Sequence, residues 1–146
     1  MLLVFFLDGG ISQLQKKYLF FYLDTLEVLR ASLEHMKRGT SQHVDIMLII
    51  VEPYFRSLEA AARFRDLAID LGIKHIFVIA NKVRNEEGEN AIRQFCSKMN
   101  LNLKLVLPFE EKVTEADLHG NSFFDYSKEN SVVNSLTAFA RELQLN

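Results

Sequence analysis

The residues best suited to chemistry follow an apolar run in the middle of the chain. Ile76 to Ala80 is unbroken apolar sequence, and Asn81 and Lys82 come directly after it. In open α/β sheets the ligand site lies just beyond the carboxyl ends of the strands. The Asn81 side chain offers both a hydrogen-bond donor and an acceptor, which suits the edge of a purine base. In the alternative interpretation, Asn81 only caps a turn.

The glycines of the chain lack the pattern that nucleotide hydrolysis requires. A phosphate-binding loop is rich in glycine and carries a Lys followed by a Ser or Thr, whose amides and ammonium group hold the phosphates. Neither this pattern nor GxGxxG occurs around the six glycines, which are Gly9, Gly10, Gly39, Gly72, Gly88 and Gly120. Asp8 follows an apolar stretch, as a magnesium-binding acid would. Without a phosphate loop, Asp8-Gly9 is better explained as a turn. We therefore predict no catalytic residues in this chain.

The sequence also predicts no metal site. Cys96 is the single cysteine, so neither a disulfide nor a CxxC site can form within one chain. Its position in a helical pattern indicates a small buried side chain. The four histidines are scattered without the spacing of metal ligands: His35, His43, His75 and His119.

Composition restricts the class of protein. The chain has 146 residues, 49% of them hydrophobic, and a net charge of −2. This predicts one folded domain, residues 1–146. The chain has no excess of positive charge to attract nucleic acid or an anionic membrane, so we expect neither as a partner. The apolar start, residues 1–7, has no charged leader or cleavage site, and no segment has the roughly 18 apolar residues of a membrane span. Together with the absence of disulfides, this predicts a cytoplasmic protein.

Apolar runs and helical periodicity alternate along the chain, and this order predicts the fold. From Val44 onward the pattern is strand, helix, strand, helix, strand, helix, which indicates right-handed crossovers and a parallel sheet. We predict a three-layer α/β fold with a mainly parallel sheet and helices on both faces. The predicted strands are residues 2–7, 45–51, 75–80 and 102–107. The predicted helices are residues 13–37, 57–71, 85 or 88 to 99, 110–118 and 130–143.

The first predicted helix contains an unusual segment. Leucines recur at helical spacing from Leu19 onward, but Tyr18 to Leu23, YLFFYL, is apolar on every side. A helix of this kind is either deeply buried or a contact surface for another chain. We therefore expect Tyr18 to Leu23 to be buried within the domain or in a homodimer.

From Ala31 onward the sequence resembles a known family. ASLEHMKRGT, VDIMLIIVEP, SLEAAARFRDLAIDLGIK, VIANKVR and VLPFEEKVTEADLHG follow one another in order at compatible spacing. Together they resemble the carbon monoxide dehydrogenase maturation ATPases, which belong to the MinD/ParA-like P-loop ATPases. The resemblance runs from Ala31 to Leu143. It implies a partial P-loop NTPase-like fold, in which residues 31–146 are the carboxyl-terminal part of a nucleotide-binding domain.

The resemblance also implies roles for particular residues. Asn81, in ANKV, matches the asparagine that recognises adenine in the family, and Lys82 follows it. Pro108 and Phe109 match the segment that packs along the base. Glu52-Pro53 matches a region close to the nucleotide and the dimer interface. Members of the family dimerise around ATP and help to insert nickel into carbon monoxide dehydrogenase, which implies that enzyme as a client and ATP or ADP as a ligand.

Several departures from the family pattern lower the expected activity. The family places a phosphate loop and a paired-cysteine metal site before the part that matches here, and both are missing from this sequence. Where the family usually has a strand ending in an acid and a short turn with glycine, this chain has Val28 and Ser32. Residues 1 to about 28 match nothing in the family, so residues 1–30 are treated as an atypical segment, either replaced or translated from a shifted frame.

Three hypotheses therefore compete. In the first, the chain is a truncated or degenerate member of the family that keeps the adenine side of the site, binds ATP or ADP weakly if at all, and does not hydrolyse ATP on its own. In the second, it is a non-enzymatic interaction module that dimerises through its apolar amino-terminal helix. A third, an unrelated small α/β enzyme, has no set of acid, base and nucleophile to support it.

Overall fold

The computed structural model describes residues 2–7, 18–23, 46–127 and 129–145. Five strands and five helices lie in this part of the chain. In chain order they are β1 (Leu2–Leu7), β2 (Tyr18–Leu23), β3 (Ile46–Val51), α1 (Phe55–Asp70), β4 (His75–Val83), α2 (Glu86–Lys98), β5 (Asn102–Pro108), α3 (Glu111–Leu118), α4 (Phe123–Tyr126) and α5 (Ser131–Leu145).

The strands form one sheet in the order β2-β1-β3-β4-β5. β3 pairs with β4, and β4 with β5, in parallel, as the alternating sequence pattern predicts. β1 is antiparallel to both β2 and β3, so four of the five strands run in the same direction. The predicted mainly parallel sheet and its three parallel strands are confirmed.

Helices cover both faces of the sheet, which completes the predicted three layers. On one face, α1 and α2 pack on β3 and β4, and the buried side chains there include Met47, Ile49, Phe64, Val78 and Ile92. On the other face, α5 packs on the sheet, and the buried set is Leu48, Ile79, Leu107, Val132 and Phe139. Because neighbouring residues of β4 fall in opposite sets, this strand is buried on both faces, as is usual in parallel sheets.

Local sequence explains where the helices begin and end. Asn85 caps α2, because its side-chain oxygen accepts the backbone N–H of Gly88 at 2.9 Å. Gly72 follows α1 with φ of +74°, a left-handed conformation that glycine adopts easily at the end of a helix. α1 begins at Phe55, two residues before the predicted Ser57, whose hydroxyl instead accepts the backbone N–H of Glu52.

The prediction of a helix over Tyr18 to Leu23 is wrong. These residues form β2 and pair with β1 in antiparallel register. A segment that is apolar at every position has no periodicity to distinguish helix from strand, and its aromatic residues favour a strand. The remainder of that predicted helix, and the burial of the Tyr18 to Leu23 side chains, lie outside the described residues.

The sheet brings the ends of its parallel strands to one edge. Val51, the last residue of β3, pairs with Ala80, so Glu52 and Asn81 follow at the same level. Val83 pairs with Pro108, which places the end of β5 at the same edge. Among the described helices, none is long and apolar enough to cross a membrane.

Candidate functional site

Asn81 and Lys82 lie within the last residues of β4 rather than beyond its end. β4 was predicted to end at Ala80, but it continues to Val83. Ala80 pairs with Val106 and Val83 pairs with Pro108, so two residues of β4 lie opposite one residue of β5. This is the count of a β-bulge, a feature that changes the direction of side chains and often lies next to functional sites.

The side chain of Asn81 is half-buried and makes a local hydrogen bond. Its Oδ1 accepts the backbone N–H of Lys82 at 3.0 Å, which is the turn-capping bond of the alternative interpretation. A carbonyl oxygen has two acceptor sites, so one remains. No partner for the Asn81 amide nitrogen occurs among the residues that the structure describes. The cap therefore leaves the side chain able to give and accept a hydrogen bond.

Lys82 connects β4 to the end of β3. Its Nζ lies 3.0 Å from Oε1 of Glu52, and the Glu52 side chain is only 9% exposed. Glu52 is the one buried charged or polar residue of the described part of the chain. A charge removed from water needs a partner, and here the exposed ammonium group of Lys82 supplies it. Lys82 also has φ of +55°, the left-handed region that residues other than glycine rarely adopt.

Pro108 and Phe109 lie beside this bulge. Pro108 is exposed at the end of β5, and the Phe109 N–H donates to the Val83 carbonyl at 2.9 Å. The guanidinium of Arg84 lies 3.4 Å from the centre of the Phe109 ring. An Arg over an aromatic ring at this distance is a cation–π contact. One face of the ring is thus already covered by a planar cationic group.

The segment after Phe109 is fixed by a pair of helix caps. Glu110 caps α3 by accepting the Lys112 N–H, and its other oxygen accepts the Asn130 side-chain amide at 2.7 Å. Asn130 in turn accepts the Val132 N–H at the start of α5. These hydrogen bonds, that from Asn130 above all, lower the pKa of the Glu110 carboxyl. The segment that follows β5 and carries Phe109 is therefore hydrogen-bonded to the starts of two helices.

Other features of the described residues do not form a second site with these. A shallow hollow of about 460 Å³ runs along α2, and none of the four predicted residues lines it; its lining is Glu86, Glu87, Asn90, Ala91 and Gln94. No cluster of three metal-ligating side chains occurs within residues 46–127 and 129–145. Cys96 is buried, and burial raises the pKa of its thiol to about 11, which fits a packing role.

Comparison with known proteins relates this arrangement to a family. No model of a protein family matches the chain. Two uncharacterized ATP-binding proteins of Methanocaldococcus jannaschii are 35% and 40% identical over 91% and 63% of the chain. The carbon monoxide dehydrogenase accessory protein CooC of Rhodospirillum rubrum is 38% identical over 68% of it. The chain spans 51%, 36% and 37% of the lengths of these three relatives.

Solved structures give the same assignment at the level of the fold. The MinD cell division protein of Aquifex aeolicus matches 84% of the chain with a TM-score of 0.61 at 16% identity, over 61% of its own length. A ParA family ATPase of Chlorobium tepidum matches 95% of the chain with a TM-score of 0.59 at 17% identity, over 67% of its own length. Over the part that it shares with these relatives, the chain is similar in sequence to CooC and to the two ATP-binding proteins, and it has the fold of the MinD and ParA ATPases.

The match to one relative covers more of the chain than the resemblance noted in the sequence. The first M. jannaschii protein matches 91% of the chain, which is more than Ala31 to Leu143, so the match extends into the first 30 residues. The fold expected from the family is confirmed, since MinD and a ParA ATPase share it.

Sequence reasoning missed two contacts at this edge of the sheet. It named Glu52 and Lys82 separately, but not the ion pair between them, and it did not name Arg84. A signal for the pair was present. Glu52 and Lys82 each come shortly after a buried apolar run, and neighbouring parallel strands end at one edge, which brings opposite charges together.

Proposed function

We propose that this chain carries the base-binding edge of a CooC-type, MinD/ParA-like ATPase. The observation that supports it is the position of Asn81, which projects from a bulge at the carboxyl end of β4 beside the end of β5. Asn81 is assigned to the edge of the adenine base, and Pro108 and Phe109 to its flat side. Lys82 is assigned to the same edge, next to Asn81, and its ammonium group forms an ion pair with Glu52.

On this proposal the chain alone binds nucleotide weakly. Two or three base contacts contribute roughly 1–3 kcal/mol, from ordinary net hydrogen-bond values. Millimolar binding corresponds to about −4.1 kcal/mol, so the predicted affinity for ATP or ADP is weaker than millimolar. The phosphates and their magnesium ion add little here, because none of the glycines is followed by the Lys-Ser or Lys-Thr of a phosphate loop. For the same reason we assign no ATP hydrolysis to this chain alone.

The relatives' names suggest where such a chain acts. CooC is named as an accessory protein of carbon monoxide dehydrogenase, so we propose that metalloenzyme as the client and its maturation by nickel insertion as the process. We place this activity in the cytoplasm, in keeping with the single buried cysteine.

The test is a titration of the isotopically labelled chain with adenosine. Binding is monitored through the NMR signals of the backbone and of the Asn side chains. Adenosine carries no phosphate, so it reports the base contacts alone. We expect the signals of Asn81 and Phe109 to move. Asn81→Ala removes a hydrogen bond of about 0.5–1.5 kcal/mol, which weakens binding by a factor of roughly 2 to 12.

A matched control lies at the opposite end of the sheet. Asn102 is exposed at the start of β5, so Asn102→Ala makes the same chemical change away from the proposed site. We expect it to bind adenosine as the unaltered chain does. If the adenosine-induced shifts were absent at Asn81, or equally weakened in both variants, the proposed base-binding edge would be wrong.

A further inference from the structure

We infer that Glu52 is a positioning residue: through its ion pair with Lys82 it holds the left-handed turn that presents Asn81 to a base. This inference rests on the proposed function, because it assigns a role to a residue that itself touches no ligand. It concerns three described residues at the ends of β3 and β4, joined by two contacts of 3.0 Å each.

The backbone at Lys82 needs support from its surroundings. Positive φ is uncommon for a residue with a side chain, and such a conformation persists only where neighbouring groups hold it. Lys82 and Asn100 are the two residues other than glycine that adopt it in the described part of the chain. At Lys82 the Asn81 side chain accepts the backbone N–H, and Glu52 anchors the far end of the side chain.

Glu52 is suited to serve as this anchor. The residue as a whole is 7% exposed. Its backbone N–H donates to the Ser57 hydroxyl at 3.0 Å, so Glu52 has little freedom to move. Pro53 follows it and packs closely against α2, since a methyl group on Gly88 would come within 3.1 Å of the Pro53 Cβ. A fixed carboxylate pairing with a flexible lysine orders the lysine rather than the reverse.

The pair also connects two strands across the site. Lys82 belongs to the bulge of β4, while Glu52 begins the segment that leads from β3 to α1. Because Asn81 precedes Lys82 and hydrogen-bonds to it, the direction of the Asn81 amide depends on the conformation of Lys82. Loss of the Glu52 charge would therefore change Asn81 without removing any group that touches the base.

The experiment compares Glu52→Gln, Lys82→Met and the double variant with a control. Glu59→Gln is the control, because Glu59 forms an ion pair with Arg63 at 2.7 Å on the surface of α1, away from the bulge. Two quantities are measured for each: the side-chain amide signals of Asn81 without ligand, and the affinity for adenosine. Thermal unfolding is recorded to confirm that each variant folds.

We expect Glu52→Gln and Lys82→Met each to move the Asn81 side-chain signals and to weaken adenosine binding by about threefold or more. The double variant is expected to match either single one, since both changes remove the same ion pair. Glu59→Gln should leave the Asn81 signals and the affinity unaltered. If Glu52→Gln does not fold, Lys82→Met alone decides, because Lys82 is exposed and its loss leaves the apolar stem in place.

Unmoved Asn81 signals in the folded single variants would overturn the inference, as would additive effects in the double variant. A general loss of stability with unaltered Asn81 signals would assign Glu52 a packing role only. If adenosine failed to bind the unaltered chain, the proposed function would fail, but the Asn81 signals would still decide whether Glu52 positions this side chain.

Discussion

Truncating side chains on opposite faces of β4 tests the sheet that carries the candidate site. Val78 is fully buried among the side chains beneath α1 and α2, while Ile79 is 4% exposed and packs with α5. Because the two residues are neighbours in a strand, their side chains point to opposite faces. If both layers of helices are present, Val78→Ala and Ile79→Ala must each destabilise the protein.

The expected magnitudes follow from the carbon atoms removed. Val78→Ala deletes two methyl groups and Ile79→Ala deletes three carbons, at about 0.8 kcal/mol each for transfer from water. The cavity left behind adds to this, so we expect losses of about 2–3 kcal/mol for Val78→Ala and about 3–4 kcal/mol for Ile79→Ala. At about 3 °C per kcal/mol for a domain of this size, the melting temperature falls by roughly 6–12 °C.

The assay is unfolding in urea, monitored both by circular dichroism and by near-ultraviolet signals. Coincident transitions in the two signals are taken as evidence of a two-state transition. Lys74→Ala is the control, because Lys74 is exposed immediately before β4. We expect its stability to stay within about 0.5 kcal/mol of the unaltered chain. A neutral result for either Val78→Ala or Ile79→Ala would show that one face of β4 is uncovered and would refute the three-layer arrangement.

Two further predictions concern ionisable groups. Hydrogen bonds, chiefly from Asn130, lower the pKa of Glu110 below its ordinary 4.5, so its carboxylate stabilises the fold above that pH and loses this effect as the pH falls through the lowered pKa. Glu110→Gln should therefore be less stable than the unaltered chain near neutral pH, with the difference shrinking in acid; an unvarying difference from pH ~7 to ~3 would contradict it. Burial raises the pKa of Cys96 to about 11, against a smaller opposite effect of Arg93, so at about pH 8 its thiol should react with a disulfide reagent at least ~100-fold more slowly in the native chain than in urea; equal rates would show that Cys96 is accessible.

The sequence predicted the central part of the fold because that part is governed by burial. The runs that became β3, β4 and β5 are apolar at consecutive positions, as strands covered on both faces must be, and helical periodicity separates them. Gly72 and Asn85 are residues whose backbone or side-chain chemistry favours helix ends. The predicted limits of the two helices between β3 and β5 were therefore close to the observed limits.

The amino-terminal prediction failed because periodicity was absent. Tyr18 to Leu23 has no polar position, so the leucines at helical spacing before and after it were extended through a segment that forms β2. Length and aromatic content would have favoured a strand. With that helix removed, the hypothesis of an interaction module that dimerises through it has no structural support.

The candidate site was predicted in its residue types but not in its geometry. Asn81 was named because polar residues at the ends of parallel strands often bind ligands. That it lies in a bulge, with Lys82 in a left-handed conformation, depends on the register between β4 and β5 and on a carboxylate from β3. Contacts between segments that are far apart in the chain leave no local pattern, which is why the Arg84–Phe109 contact was found only in the structure. The Glu52–Lys82 pair had a signal only in the opposite charges that follow two neighbouring strand patterns.

The most direct test of the proposed base-binding edge is the ratio of two affinities. Binding of adenosine and of ATP with magnesium is measured on the same labelled chain by NMR titration, with phosphate release recorded in parallel. If the chain supplies base contacts through Asn81 and its neighbours but no phosphate contacts, both ligands bind weakly with dissociation constants within about threefold of each other, and no phosphate is released. ATP binding about 100-fold tighter than adenosine, or phosphate release that Asn81→Ala abolishes, would contradict the account.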